Sequence, residues 1–148
     1  PFALVLEDDA VLARRFTESL ERAARELPDF AVAYLGAGDN WHVPRHQRRA
    51  GSLLHPALNS RTTDAYLIPR AAAAARLAWL AEHPMSKPIG HVYNDCDPAL
   101  GVTVLWAEPT IVTQGSFTGR FASAIHQKRP RWMQAILFSY RRIARALR

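Results

Sequence analysis

The chain has a single cysteine, Cys96, among its 148 residues. One thiol rules out an internal disulfide framework and fits a reducing compartment. No apolar run approaches the roughly 18 residues that a bilayer-spanning helix needs. There is no internal repeat, and no basic start with a small-residue cleavage site of the kind that marks a secretory signal. The opening at Pro1-Phe2 falls inside an apolar run, so a fragment whose preceding residues are missing is expected. The last 21 residues contain no acid at all. Residues 128–148 carry Lys128, Arg129, Arg131, Arg141, Arg142, Arg145 and Arg148, which leaves 12 basic residues against all 13 acids, net −1, in residues 1–127. The formal charge of +6 is therefore a property of the tail. It argues against a nucleic-acid-binding core and for a tail that meets an anionic surface.

What is present is ordinary for one globular domain: 49% hydrophobic and 22% charged residues, enough for a sizeable core. The stretch around which the chain is organised is Phe2-Ala3-Leu4-Val5-Leu6-Glu7-Asp8-Asp9. Five apolar residues running into three acids read as a buried parallel strand with carboxylates at its C-terminal end, where open α/β sheets place their ligands. Adjacent acids repel one another unless a cation compensates. Glu7 and Asp9 are therefore candidate ligands of a divalent metal. Oxygen donors without a neighbouring cysteine favour Mn²⁺ or Mg²⁺ over zinc. A plainer reading leaves Asp8 or Asp9 as a cap at a helix N-terminus. A phosphoreceiver has a similar opening, with Lys87-Pro88 as its superficial complement. It needs an acceptor aspartate near position 50, and no acid lies between Asp39 and Asp64.

After Asp9, Leu12, Phe16, Leu20, Ala23 or Ala24, and Leu27 recur at helical spacing, and Pro28 ends the segment. Phe30–Leu35 reads as a second buried strand, and Gly36–Asn40 as a loop. The first unit is then βαβ with a right-handed crossover. Residues 41–60 have no clear period and read as a loop excursion. Ala65–Ile68 reads as a strand, with Pro69 opening an alanine-rich helix from Arg70 to Glu82. Met85–Leu100 reads as loop with at most a short helix, Val102–Trp106 and Ile111–Thr113 as strands, and Gly115–Gly119 as a polar turn. In the tail, Trp132, Ile136, Tyr140, Ile143 and Leu147 share one stripe at 100° per residue, with Arg131, Arg141, Arg142, Arg145 and Arg148 on the far side. Phe138 sits among the basic positions.

Four stretches in order give the chain a resemblance: Leu6-Glu7-Asp8-Asp9-Ala10; Tyr34-Leu35-Gly36; Thr63 to Arg70 with the alanine helix behind it; and Lys87-Pro88-Ile89-Gly90-His91-Val92-Tyr93-Asn94. Glu108-Pro109, Val112-Thr113-Gln114 and Ser123-Ala124-Ile125 extend it, so that it spans most of residues 2–125. Together they resemble glycosyltransferase family 25, the bacterial lipopolysaccharide and lipooligosaccharide core transferases, which are related to the collagen galactosyltransferases. The resemblance implies an α/β, GT-A-like (Rossmann-like) mixed sheet flanked by helices, N-terminally truncated. It also implies Mn²⁺-assisted transfer of a hexose, galactose or glucose, from a nucleotide sugar such as a UDP-hexose to a saccharide acceptor such as lipopolysaccharide core. Glu7 and Asp9 match the metal-binding positions. Gly90 departs from the family, which usually has an aspartate there; Asp95 or Asp97 could stand in from the same segment. Without the family's N-terminal region, the chain alone would be inactive.

An inverting transferase needs a carboxylate base near neutral pKa. Asp64, at the head of a strand, and Asp95, in the following loop, are the candidates, although each also fits a turn or cap. Tyr66 could stack on sugar or base, and Gln114, Ser116 and Thr118 could bind sugar hydroxyls; a core aromatic and a polar turn are the simpler readings. His42 and His46 are separated by Pro44, which argues against a shared metal. The tail reads either as an interfacial helix on anionic lipid or as a terminal helix that packs its stripe on the domain. The expectation is a catalytic domain over residues 1–127 with a basic amphipathic helix over 128–148, located in the cytoplasm and peripheral on the inner face of the cytoplasmic membrane. The competing class is a non-catalytic, membrane-attached binding domain.

Overall fold

The structure is a computed structural model in which residues 1–36, 42–118, 121 and 130–147 are described. In chain order its elements are β1 (Phe2–Leu6), β2 (Ala10–Leu12), α1 (Phe16–Glu26), β3 (Ala31–Tyr34), β4 (Leu54–Pro56), β5 (Ala65–Pro69), α2 (Arg70–Glu82), α3 (Ile89–Leu100), β6 (Thr103–Ala107), β7 (Val112–Gln114), α4 (Gly115–Thr118) and α5 (Arg131–Leu147), with one 3₁₀ turn at Arg45–Gln47.

Ala-Val-Ala-Tyr of β3 offers no polar side chain to solvent on either face until the tyrosine hydroxyl, and all four residues are fully buried. It occupies the centre of a five-stranded mixed sheet ordered β1-β5-β3-β6-β4. Its pairing with β6 is parallel, whereas β5 is antiparallel to both β1 and β3 and β4 is antiparallel to β6. Side chains alternate across a strand, so β3 feeds two cores. Ala31, Ala33 and Leu35 join Leu67 and Leu105 beneath Phe16, Leu20, Ala23 and Leu27 of α1 and its end. Val32 and Tyr34 join Ile68, Val104 and Trp106, covered by Ala72 of α2 and Leu100 of α3. The domain is thus α/β with helices on both faces of the sheet. A separate two-stranded antiparallel ribbon, β2 with β7, stands at one end.

Three expectations about the strands need correction. Phe2–Leu6 is not a buried parallel strand: β1 is an antiparallel edge strand, with Phe2, Val5 and Leu6 exposed. An apolar run does not by itself distinguish a doubly covered strand from an edge strand, and only Leu4 packs beneath α1. The βαβ unit is also interrupted. β1 and β3 run in the same direction, but β5 lies between them and bonds to both. Finally, the segment before α1 pairs as β2 rather than starting the helix, because Ala10-Val11-Leu12 finds partners in Val112–Gln114.

The segment expected to be loop, Met85–Leu100, contains the twelve-residue helix α3. Its signal was Val92, Tyr93 and Cys96 at i, i+1 and i+4, all buried. Pro98 obscured it, yet the proline sits in the last turn. Gly101, at φ 70°, closes the helix with its N–H on the Pro98 carbonyl, while Val102 N–H reaches Asp97, a Schellman arrangement. At the opposite edge, the carboxylate of Glu26 at the end of α1 accepts the N–H groups of Leu53 (2.7 Å) and Leu54 (2.8 Å), tying α1 to β4. Gly115–Thr118 is a short helix rather than a turn. No helix among the described residues is long and apolar enough to cross a membrane.

Candidate functional site

The C-terminal end of β1, the start of β5 and the end of β3 come together at one edge of the sheet. Leu6 opposes Ala65 and Tyr34 opposes Tyr66, so one step beyond Leu6 and two beyond Tyr34 bring Glu7 and Gly36 to either side of Asp64. The bond from Glu7 N–H to the Asp64 carbonyl (2.9 Å) continues that ladder. Two carboxylates from strands distant in sequence therefore stand side by side because of register.

Each carboxylate is held. Glu7 Oε1 accepts the Thr63 hydroxyl (2.7 Å) and Oε2 accepts the Gln114 amide (2.8 Å). Both donors are neutral, so the charge of Glu7 is positioned without being cancelled, and its remaining lone pairs can take a cation. Asp9 lies beside the head of α4. Its backbone carbonyl accepts Gly115 N–H (2.7 Å) and its Oδ2 accepts Ser116 N–H (3.1 Å). Asp64 is fully buried. Its Oδ1 accepts the Thr62 hydroxyl, and its Oδ2 is buried with no hydrogen-bond partner. Burial pushes its pKa up to about 6, and the nearby Glu7 charge adds to the rise; the Thr62 hydroxyl, the Ala65 N–H and Arg61 oppose it. A carboxyl group poised near neutrality is suited to taking a proton.

Behind this edge Arg61 and Glu108 form a buried pair at 2.5 Å. Arg61 also donates to the Ala107 carbonyl (3.1 Å) and lies 4.9 Å from the centre of the Trp106 ring. Glu108 accepts the Val43 N–H (3.1 Å) and meets Arg48 at 3.5 Å, and the Glu108-Pro109 peptide is cis.

Of the six residues singled out in the sequence, the structure joins Glu7 to Asp64 and Gln114 and sets Asp9 next to them in the chain, at the head of α4. It places the other two elsewhere. Tyr66 joins an aromatic cluster over α2 and α3, its hydroxyl 3.3 Å from that of Tyr93 and its ring 5.9 Å from that of Tyr34. Burial raises its pKa well above the ordinary phenol range, so it stays neutral. Asp95 is exposed on α3, ion-paired to Lys87, in an open cleft that also includes Trp79 and His83. Gly90 stands at the join between α3 and the site: a Cβ built there would lie 3.9 Å from the Thr63 methyl, and the Gly90 carbonyl accepts the Ser60 hydroxyl at 2.8 Å. Asp97 is no loop acid. It is buried and doubly bonded to Arg76, at 2.7 Å through each oxygen. His42 Nδ1 is buried with no hydrogen-bond partner, while His46 is exposed and its ring nitrogen faces Gln47.

Sequence reasoning missed Thr62, Thr63 and Gly36 as site residues, and had Ser116 as a donor to sugar rather than to Asp9. The threonines carried a signal in their position directly before Asp64. Gly36 carried none, since its role comes from the register between strands 28 positions apart. Among the described residues no three His, Cys, Asp or Glu side chains group as an all-protein metal cage would require. The oxygen donors of Glu7 and Asp9, two positions apart, nevertheless fit a hard cation that draws its other ligands from substrate phosphates and water, as Mg²⁺ and Mn²⁺ do at such sites. Comparison with protein-family models, curated proteins and solved structures finds no match to this chain.

Proposed function

We propose that this domain is the catalytic part of a metal-assisted, GT-A-like glycosyltransferase of the family 25 type. In this reading it moves a hexose from a nucleoside diphosphate sugar to a saccharide acceptor. The observation that carries the reading is the pairing, at one sheet edge, of Glu7, held by two neutral donors, with the buried Asp64, whose Oδ2 lacks a partner. Glu7, with Asp9, would hold Mn²⁺ or Mg²⁺, which when bound neutralises the departing diphosphate. Thr63 and Gln114 fix the orientation of Glu7. Asp64, with its pKa near 6, takes the proton of the attacking acceptor hydroxyl as the sugar is displaced. Arg61 and Glu108 brace the wall behind it.

Isothermal titration of Mn²⁺ together with UDP tests the metal assignment. Binding is expected in the native chain and is expected to vanish in the Glu7→Gln/Asp9→Asn double variant. Thr63→Val, which removes only the hydroxyl that orients Glu7, should weaken binding about tenfold. Unchanged affinity in the double variant would remove the metal from this site. Turnover of labelled UDP-hexoses by the intact gene product then separates a transferase from a non-catalytic binding domain.

A further inference from the structure

Helix α5 places its apolar stripe away from the domain. Trp132, Ile136, Tyr140 and Ile143 are 60–69% exposed. At 100° per residue they occupy one 80° sector, with Met133 at its border. Half-buried Ala135 and Phe138 lie on the other side, and α5 packs against α4. Phe138, out of place in a helix whose stripe faces the core, is accounted for by this orientation. The stripe is thus an unpartnered face among the described residues, continuous over three turns.

What covers it is indicated by charge and by side-chain type. The 21 residues from 128 carry seven positive charges and no negative ones, on a body of net −1. A second copy seated on the stripe would set two segments of seven positive charges side by side with no acid in either to offset them, even though helical spacing puts most of the arginines on the far side. An anionic bilayer relieves that repulsion and accepts the same apolar residues, and Trp and Tyr are the side chains favoured at its headgroup level. We infer that α5 is an interfacial helix that seats the domain on an anionic lipid surface, with Trp132, Ile136, Tyr140 and Ile143 entering the headgroup boundary. The helix under it, α4, is the one whose Gly115 and Ser116 N–H groups hold Asp9, so lipid contact sets the carboxylate edge one short helix from the membrane. This inference does not depend on the chemistry proposed for that edge.

The test is co-sedimentation of the full chain with vesicles of phosphatidylcholine alone and with added phosphatidylglycerol. Binding is expected only to the anionic vesicles, weakening as salt is raised. The Ile136→Glu/Tyr140→Glu variant alters exposed positions, so it should keep the native circular dichroism and lose about tenfold or more in partitioning. Brominated lipids should quench fluorescence in the native chain and fail to do so in Trp132→Phe, which still co-sediments. Equal binding to neutral and anionic vesicles would overturn the inference. So would quenching that survives Trp132→Phe, or a concentration-dependent dimer in sedimentation velocity that Ile136→Glu/Tyr140→Glu dissolves without any vesicle binding.

Discussion

Oδ2 of Asp64 occupies the space that a side chain at position 36 would need: a Cβ on Gly36 would overlap both that oxygen and the carboxyl carbon. The glycine is required by close approach, since its backbone is not in the left-handed region. Gly36→Ala should therefore destabilise the domain by about 1–3 kcal/mol through overpacking. Removing the carboxylate should restore room, so Gly36→Ala combined with Asp64→Ala should cost less than the two single changes added together. Urea unfolding of the four proteins of this cycle measures the coupling, and simple additivity would mean that the two residues do not compete for space.

Two acids give the stability opposite slopes with pH. Asp64 has a pKa of about 6 folded against an ordinary 3.8. Its stabilising share is complete below about pH 4 and is lost as pH rises through 6. For Glu26, burial pulls the pKa up, but the Leu54 and Leu53 N–H groups and Arg22 outweigh it, so the net shift is below the ordinary 4.5. Its share is present above that value and is lost as pH falls through the lowered one. Thermal melts of Asp64→Asn between pH 4 and 8 should lose the decline seen on the native chain's alkaline side. Melts of Glu26→Gln should lose part of its acid sensitivity. If Asp64 is also the base, turnover at saturating substrate should rise with pH through about 6 and be abolished in Asp64→Asn.

The two acids of α3 should behave differently. Asp97 is buried and faces Arg76 through both oxygens, with the guanidinium 4.0 Å from the Tyr93 ring and 3.4 Å from the Tyr34 hydroxyl. Asp97→Ala strands a buried cation and should cost about 3–5 kcal/mol. Asp95→Ala breaks an exposed pair with Lys87 and should cost no more than about 1 kcal/mol. Guanidinium unfolding distinguishes them, and comparable losses would mean that the Lys87 pair is far less solvated than its geometry indicates.

Tyr66 and Gln114, both candidates for binding substrate, can be separated by one experiment. Tyr66→Phe removes a hydroxyl that meets that of Tyr93 and should leave Mn²⁺ and UDP affinity unchanged at a stability cost of about 1 kcal/mol. Gln114→Ala frees Glu7 Oε2 and should weaken Mn²⁺ binding about tenfold while barely moving the melting temperature. Titration calorimetry paired with thermal melts reads both quantities, and a loss of ligand affinity in Tyr66→Phe would return that residue to the site.

Much of the fold could be read along the chain. The helices at Phe16–Glu26 and Arg70–Glu82 follow from apolar spacing and from proline at their ends, and β3, β5 and β6 from short apolar runs. Those are local signals. The edge position of β1 was not legible, because apolarity reports that a residue prefers burial and not how many neighbours its strand has. Helix α3 was hidden by a proline whose effect depends on which turn it occupies.

For the candidate site, the sequence by itself determined the chemistry on offer: an acidic end to the first strand, an isolated aspartate behind two threonines at Asp64, and a tail whose charge is all of one sign. Tertiary structure alone decided which of these meet. Register placed Glu7 and Gly36 on either side of Asp64, while helix packing turned Asp97 into the partner of Arg76, left Asp95 in solvent and pointed the stripe of α5 outward. The physical reason is that residue type fixes what a group can donate, accept or bury. The desolvation that shifts a pKa, and the close approach that demands a glycine, exist only once strands distant in sequence lie side by side.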